Sequence, residues 1–180
     1  MHGYVAGPIF SPHQLKVIKG IESVLTMHKH TFFSPYEESR AIWNGRAPKD
    51  CTEAERKRVV QGNINGLHKA EFLIAWVGGQ LQESHSADTG TVWEMGYYRC
   101  LRDAATRLGV GEPGLCIAYV DPRDLRQNMN LMLAETVDCA VRGMAQLSIA
   151  FDMIDHLKHD EMLERYHPSK LILQEREPIG

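Results

Sequence analysis

The sequence predicts an α/β fold: an open, mostly parallel, doubly wound sheet of about five strands with helices on both faces. Three observations predict it. Short apolar runs alternate with longer helical patterns along the whole chain. Two runs, Phe72-Leu73-Ile74-Ala75-Trp76-Val77 and Leu115-Cys116-Ile117-Ala118-Tyr119-Val120, are continuously apolar, as parallel strands buried on both faces are. Turn-forming residues close the runs, Gly7-Pro8 after the first and Ser34-Pro35 after the second.

The first strand is Tyr4-Val5-Ala6. From His13 to Met27, Leu15, Ile18, Ile21 and Leu25 recur at spacings of three and four, which predicts an amphipathic helix. Thr31-Phe32-Phe33 reads as the second strand. Residues 36–51 are polar and carry Gly45 and Pro48, so a long loop is expected there. Thr52 and Glu55 match a capping box for a helix running to about Lys69, with Val60, Ile64 and Leu67 inward. The Phe72–Val77 run is the central strand, ended by Gly78-Gly79. A polar loop leads to Asp88, and a helix follows from about Thr91 to Leu108. Leu115–Val120 is the next strand, a weaker one is read at Val137 to Val141, and Gln146 to Leu163 reads as a helix. One domain is expected over residues 1–180, with 165–180 as a tail.

Apolar residues make up 43% and charged residues 24% of the 180-residue chain, an ordinary globular composition with room for one sizeable core. The net charge of −3, with no basic block, argues against nucleic acid as the main partner. No apolar run approaches the roughly 20 residues that span a bilayer. The N-terminal MHGYVAGPIF lacks the charged-then-apolar pattern of a secretory signal. Cys51, Cys100, Cys116 and Cys139 are far apart and form no CxxC, which reads as reduced core thiols in a cytoplasmic protein.

In an open parallel sheet, ligands bind beyond the carboxyl ends of the strands. Here those ends carry Gly7-Pro8, Ser34 to Glu38, the loop to Asp88, and Asp121 onward. In DTGTVWEMGY, residues 88–97, Glu94 follows Asp88 by six positions inside an otherwise apolar run. With Thr91 as N-cap, Glu94 falls in the first turn, where free amides and the helix dipole favour an ionised carboxylate, the form a nucleophile needs. Taken alone, Glu94 also fits a plain helix-start glutamate and Asp88 an Asx turn. Tyr4 reads either as a half-buried aromatic or as a hydroxyl that orients a carboxylate. Gly7 would let a ligand approach the backbone closely. No GxGxxG or Walker sequence follows the first strand, which argues against a dinucleotide or nucleoside triphosphate site. Asp152, Asp155, His156, His159, Asp160 and Glu161 have the residue types of a metal cluster, but without a convergent third ligand they read as a solvated helix face. His68, at a helix end, complements the dipole when cationic.

Five segments in order, YVAGPIF at 4–10, FFSPYEE at 32–38, GNINGLHKAEFLIAW at 62–76, DTGTVWEMGY at 88–97 and NLML at 130–133, resemble the nucleoside 2-deoxyribosyltransferases. The resemblance implies a flavodoxin-like (Rossmann-like) fold and cofactor-free transfer of a 2-deoxyribosyl group between nucleobases through a covalent sugar–enzyme ester. It implies deoxynucleosides and free bases as partners, and a homo-oligomer with shared sites. By position, Glu94 matches the nucleophile, Tyr4 the tyrosine that orients it, and Asp88 the aspartate that grips sugar hydroxyls. Asn130 matches an asparagine lent by a neighbouring subunit to the sugar's 5′ end. Glu37 and Glu38 fall on the loop that meets the base, and Phe10 where an apolar side chain packs near it. Asn63 is a departure: many members carry an aspartate there that helps protonate the departing base, and asparagine has no such proton to give. That leaves an N-glycosidase on the same scaffold, and a non-catalytic binding module, as the alternative readings.

Overall fold

The computed structural model describes residues 1–44, 46, 48–77, 88–110, 114–121, 134–156 and 159–168. Five strands, β1 (His2–Ala6), β2 (Thr31–Phe33), β3 (Phe72–Trp76), β4 (Leu115–Val120) and β5 (Cys139–Arg142), form one sheet in the order β2-β1-β3-β4-β5. Every pairing is parallel. This is the flavodoxin-like order, whose direction reverses between β1 and β3. In register, Tyr4 lies between Phe33 of β2 and Leu73 of β3.

Alternation along the strands builds two cores. Val5, Phe72, Ile74, Trp76, Ile117, Tyr119 and Val141 face α1 (Pro12–Met27) and α5 (Gly143–Asp155), meeting Ile18, Ile21, Leu25, Leu147 and Phe151. Tyr4, Ala6, Leu73, Ala75, Cys116 and Ala118 face the other way, toward Leu67 of α3 (Glu53–Lys69) and Met95 and Tyr98 of α4 (Thr89–Leu108). Each fully buried aliphatic or aromatic side chain contributes about 1.5–3 kcal/mol, so both faces help hold the sheet.

Two elements depart from the sequence reading. Residues 36–51 are not one loop: they hold most of α2 (Pro35–Trp43) and a 3-10 turn, Pro48–Asp50. Pro35 presets the first turn, and Glu37 and Glu38 lie where the helix dipole favours acids. The final helix is two, α5 and then α6 (His159–Arg165). Within α3 the Thr52–Glu55 capping box is present and Leu67 is buried, but Val60 faces solvent. Of the four free cysteines, Cys100 is exposed and the other three are buried. Burial pushes the Cys116 thiol up to about 12, which keeps it unreactive.

Asp138 ties β4, β5 and α4 together. Its carboxylate accepts from Arg102 Nη1 at 2.5 Å and Nη2 at 3.1 Å, and from the Cys116 amide at 2.7 Å. Asp138→Ala strands a mostly buried guanidinium and a buried amide, so it is expected to cost about 2 kcal/mol. Urea unfolding checks this, and an unchanged midpoint would refute it. On the outer side of β5, the Ala140 amide donates to the Tyr166 carbonyl at 2.7 Å. Among the described residues, no helix is long and apolar enough to cross a membrane.

Candidate active site

The site forms where β1 and β3 part, at the carboxyl edge of the sheet on the α3 and α4 side. β1 delivers Tyr4, which is 0% exposed, and α4 delivers Glu94, which is 8% exposed. The Tyr4 hydroxyl donates to Glu94 Oε1 at 2.6 Å. The Phe33 ring, at the end of β2, stacks on Tyr4 with centroids 5.4 Å apart. Phe33 reaches this position because α3 has Gly66 beneath it: a Cβ there would stand 2.7 Å from the ring.

α4 begins earlier than its sequence suggests. Asp88, not Thr91, is the N-cap, and its Oδ2 accepts from the Thr91 amide at 3.1 Å and the Thr91 hydroxyl at 3.3 Å. Glu94 therefore sits in the second turn, past the free amides of the helix end. The dipole argument for an ionised Glu94 fails accordingly. Burial pushes its pKa up to about 7, against the opposing pull of the Tyr4 hydrogen bond, and Asp88 adds a further upward push. Burial and the Glu94 charge hold the Tyr4 phenol well above its ordinary range, so it stays a donor. The pair is a carboxylate that ionises near neutrality, held in one orientation by a proton that does not leave.

The Tyr4 hydrogen bond favours the charged form of Glu94 against burial and Asp88, and a hydrogen bond to a charged group is worth about 1.5–3 kcal/mol. Tyr4→Phe is thus expected to raise the Glu94 pKa by about one unit or more. NMR titration of carbon-labelled glutamate reads this directly; a lower or unchanged pKa would refute it.

The other expected site residues are distributed around this pair. Gly7 follows β1, and a Cβ on it would stand 2.7 Å from Ile18 Cδ1 and 3.3 Å from Trp76 Cβ, so the turn packs closely against the core. Phe10 is 68% exposed on the loop after β1. Glu37 and Glu38 lie on α2 rather than on a loop. Glu37 is exposed, and Lys19 Nζ at 2.6 Å holds its carboxyl below the usual range. Glu38 turns toward α3 and lies over Gly62, where a Cβ would meet its Cγ at 3.1 Å and its Oε1 at 3.2 Å. The Asn63 amide oxygen is buried without a hydrogen-bond partner. Asn130 lies outside the described residues.

Sequence reasoning missed Phe33 and Gly66; the signal was an aromatic at the end of the second strand and a glycine inside a helical pattern. His68 hydrogen-bonds the Tyr97 hydroxyl at 2.8 Å, outside the Tyr4–Glu94 pair. Asp152, Asp155, His156, His159, Asp160 and Glu161 are exposed. Asp155 is engaged by His28 at 3.1 Å and His30 at 3.2 Å. Among the described residues, no group of three such side chains is placed to hold a metal ion.

Comparison with known proteins bears on the fold and the family. A solved 2-deoxyribosyltransferase from the psychrotolerant bacterium Bacillus psychrosaccharolyticus superposes with a TM-score of 0.62 at 22% identity, over 82% of this chain and 90% of that one. A conserved protein from Enterococcus faecalis V583 superposes with a TM-score of 0.57 at 15% identity, over 85% and 98%. At these identities the likeness shows the fold. No curated protein matches. The family model described as nucleoside 2-deoxyribosyltransferase matches residues 4–132, a span that holds Tyr4, Asp88 and Glu94, and the chain belongs to that family.

Proposed function

We propose that this chain moves a 2-deoxyribosyl group from one nucleobase to another through a covalent ester on Glu94. The carrying observation is the buried Tyr4–Glu94 hydrogen bond of 2.6 Å at the point where the strand order reverses. The ionised Glu94 attacks the anomeric carbon as the base leaves, trapping an oxocarbenium-like sugar as retaining glycosidases do. Tyr4 holds the attacking carboxylate in line. Asp88 commits Oδ2 to capping α4 and offers its other oxygen to sugar hydroxyls. Phe10, Glu37, Glu38 and Asn63 border the base, and Gly7 keeps the turn beside them compact. A second base then attacks the ester and releases a new deoxynucleoside. The reaction uses no cofactor and suits nucleobase salvage in the cytoplasm.

One observation favours a second reading. Asn63 stands where many family members have an acid and cannot protonate a departing base, and a site changed there that admits water would hydrolyse the ester instead of exchanging bases, as an N-glycosidase on the same scaffold. Incubation with deoxyinosine or thymidine, with and without a second base, separates the two. A new deoxynucleoside establishes transfer, free sugar alone establishes hydrolysis, and no turnover leaves a binding module and refutes both.

In this reading Asn130 of one subunit serves the sugar in its neighbour's site, so the active unit is at least a dimer. Asn130→Ala is expected to lose at least about tenfold in turnover, a typical cost of one lost substrate hydrogen bond. Mixing it with inactive Glu94→Ala protein is expected to restore part of the activity, because mixed pairs hold one site with both residues intact. Subunit exchange without recovery, or an active monomer by light scattering, would sink the shared site.

A further inference from the structure

Asn63 leaves the proposed reaction without its usual proton source, and the fold places another carboxyl beside it. Glu38 reaches from α2 across the bare backbone of Gly62, the residue immediately before Asn63. One helical turn further along α3, Gly66 seats the Phe33 ring, Phe33 stacks on Tyr4, and Tyr4 holds Glu94. A chain of close neighbours, Gly62, Gly66, Phe33 and Tyr4, thus connects Glu38 to Glu94. Asn63, next to Gly62 in α3, carries a buried amide oxygen with no partner. The neighbouring acid is already used: Glu37 is exposed and ion-paired with Lys19. Glu38 forms no hydrogen bond or ion pair among the described residues.

We propose that Glu38 is the proton donor to the departing nucleobase, replacing from α2 the acid that position 63 of α3 lacks. This rests on the glycosyl-transfer reading of Glu94. In the first half-reaction the C1′–N bond breaks and its electron pair stays on the base. A Glu94 oxygen forms the new C1′–O bond, and the Glu38 proton moves to the base, leaving Glu38 ionised. In the second half the incoming base attacks C1′, the ester bond breaks to free the Glu94 carboxylate, and the proton of the incoming N–H returns to Glu38. Gly62 is the positioning residue, since any side chain there would stand in the space the Glu38 carboxyl uses.

The test compares leaving groups. Wild type, Glu38→Gln, Asn63→Asp and the double variant are assayed with deoxyadenosine and deoxycytidine, whose bases leave poorly as anions, and with a 4-nitrophenyl 2-deoxyriboside, whose leaving group needs no proton. The expected loss in Glu38→Gln is about 10²-fold greater for the two nucleosides than for nitrophenolate release, the usual worth of a general acid. Asn63→Asp is expected to recover at least about tenfold of it in the double variant, by supplying an acid in reach of the same base. Equal losses on both substrate types, or no loss on either, would overturn the assignment. A circular dichroism spectrum and urea midpoint matching wild type show that Glu38→Gln is folded. A wild type that turns over neither the nucleosides nor the nitrophenyl deoxyriboside would instead bring down the glycosyl-transfer reading itself.

Discussion

Replacing Glu94 with glutamine or alanine is expected to lower turnover by at least about 10⁴-fold, the scale seen when a covalent nucleophile is removed. Glutamine keeps the shape and still accepts the Tyr4 hydrogen bond through its amide oxygen, so the fold and the pocket survive. What it lacks is the negative oxygen that forms the ester. Alanine removes the acceptor as well and orphans the Tyr4 hydroxyl, so it adds a stability loss that glutamine avoids. Mass spectrometry of wild type with a slow, 2-fluorinated deoxynucleoside is expected to place the sugar on Glu94. An adduct on any other residue, or an active Glu94→Gln protein, would end the nucleophile assignment.

The same substitution is expected to stabilise the protein at alkaline pH. The Glu94 pKa is about 7 in the fold, against an ordinary value of 4.5. Below pH 4.5 the folded and unfolded chains both hold the proton, and the residue contributes no pH dependence. As pH rises from 4.5 to 7 the unfolded chain gives up its proton first, which favours unfolding by about 1.4 kcal/mol per unit. Above pH 7 both states are ionised and the full penalty, about 3 kcal/mol, stands. Glu94→Gln has no charge to bury. Its unfolding free energy is expected to match wild type near pH 4 and exceed it by about 3 kcal/mol at pH 8. Paired urea titrations at the two pH values check this. A gap that is constant with pH, or that grows toward acid, would refute the raised pKa.

Much of this arrangement was legible in the sequence, and the misses have physical causes. β2 and β4 lie where read and β3 ends one residue short, because apolar runs bounded by turn residues admit few alternatives. The weak strand at 137–141 was displaced to Cys139–Arg142, since a short edge strand has little apolar signal to fix its ends. α2 was hidden by its polar surface, although Ser34-Pro35 followed by Glu37-Glu38 carries the signal of a helix start. Tyr4 and Glu94 were found as candidates, but their contact joins residues 90 positions apart and no spacing rule states it. The ionisation state went wrong for one reason: the choice of Asp88 or Thr91 as cap moves Glu94 by most of a turn, from free amides into the core.

The hydrogen bond from Ala140 to Tyr166 bears on how the chain is made. A ribosome delivers β1 first, yet the outer rim of β5 stays open until Tyr166 has emerged, more than twenty residues after the strand itself. During that interval the nascent sheet exposes an unpaired row of backbone donors and acceptors, the kind of rim onto which a second nascent chain can add a strand. The contact that covers this rim at Ala140 is made by backbone, and the Tyr166 ring that accompanies it is buried in the core.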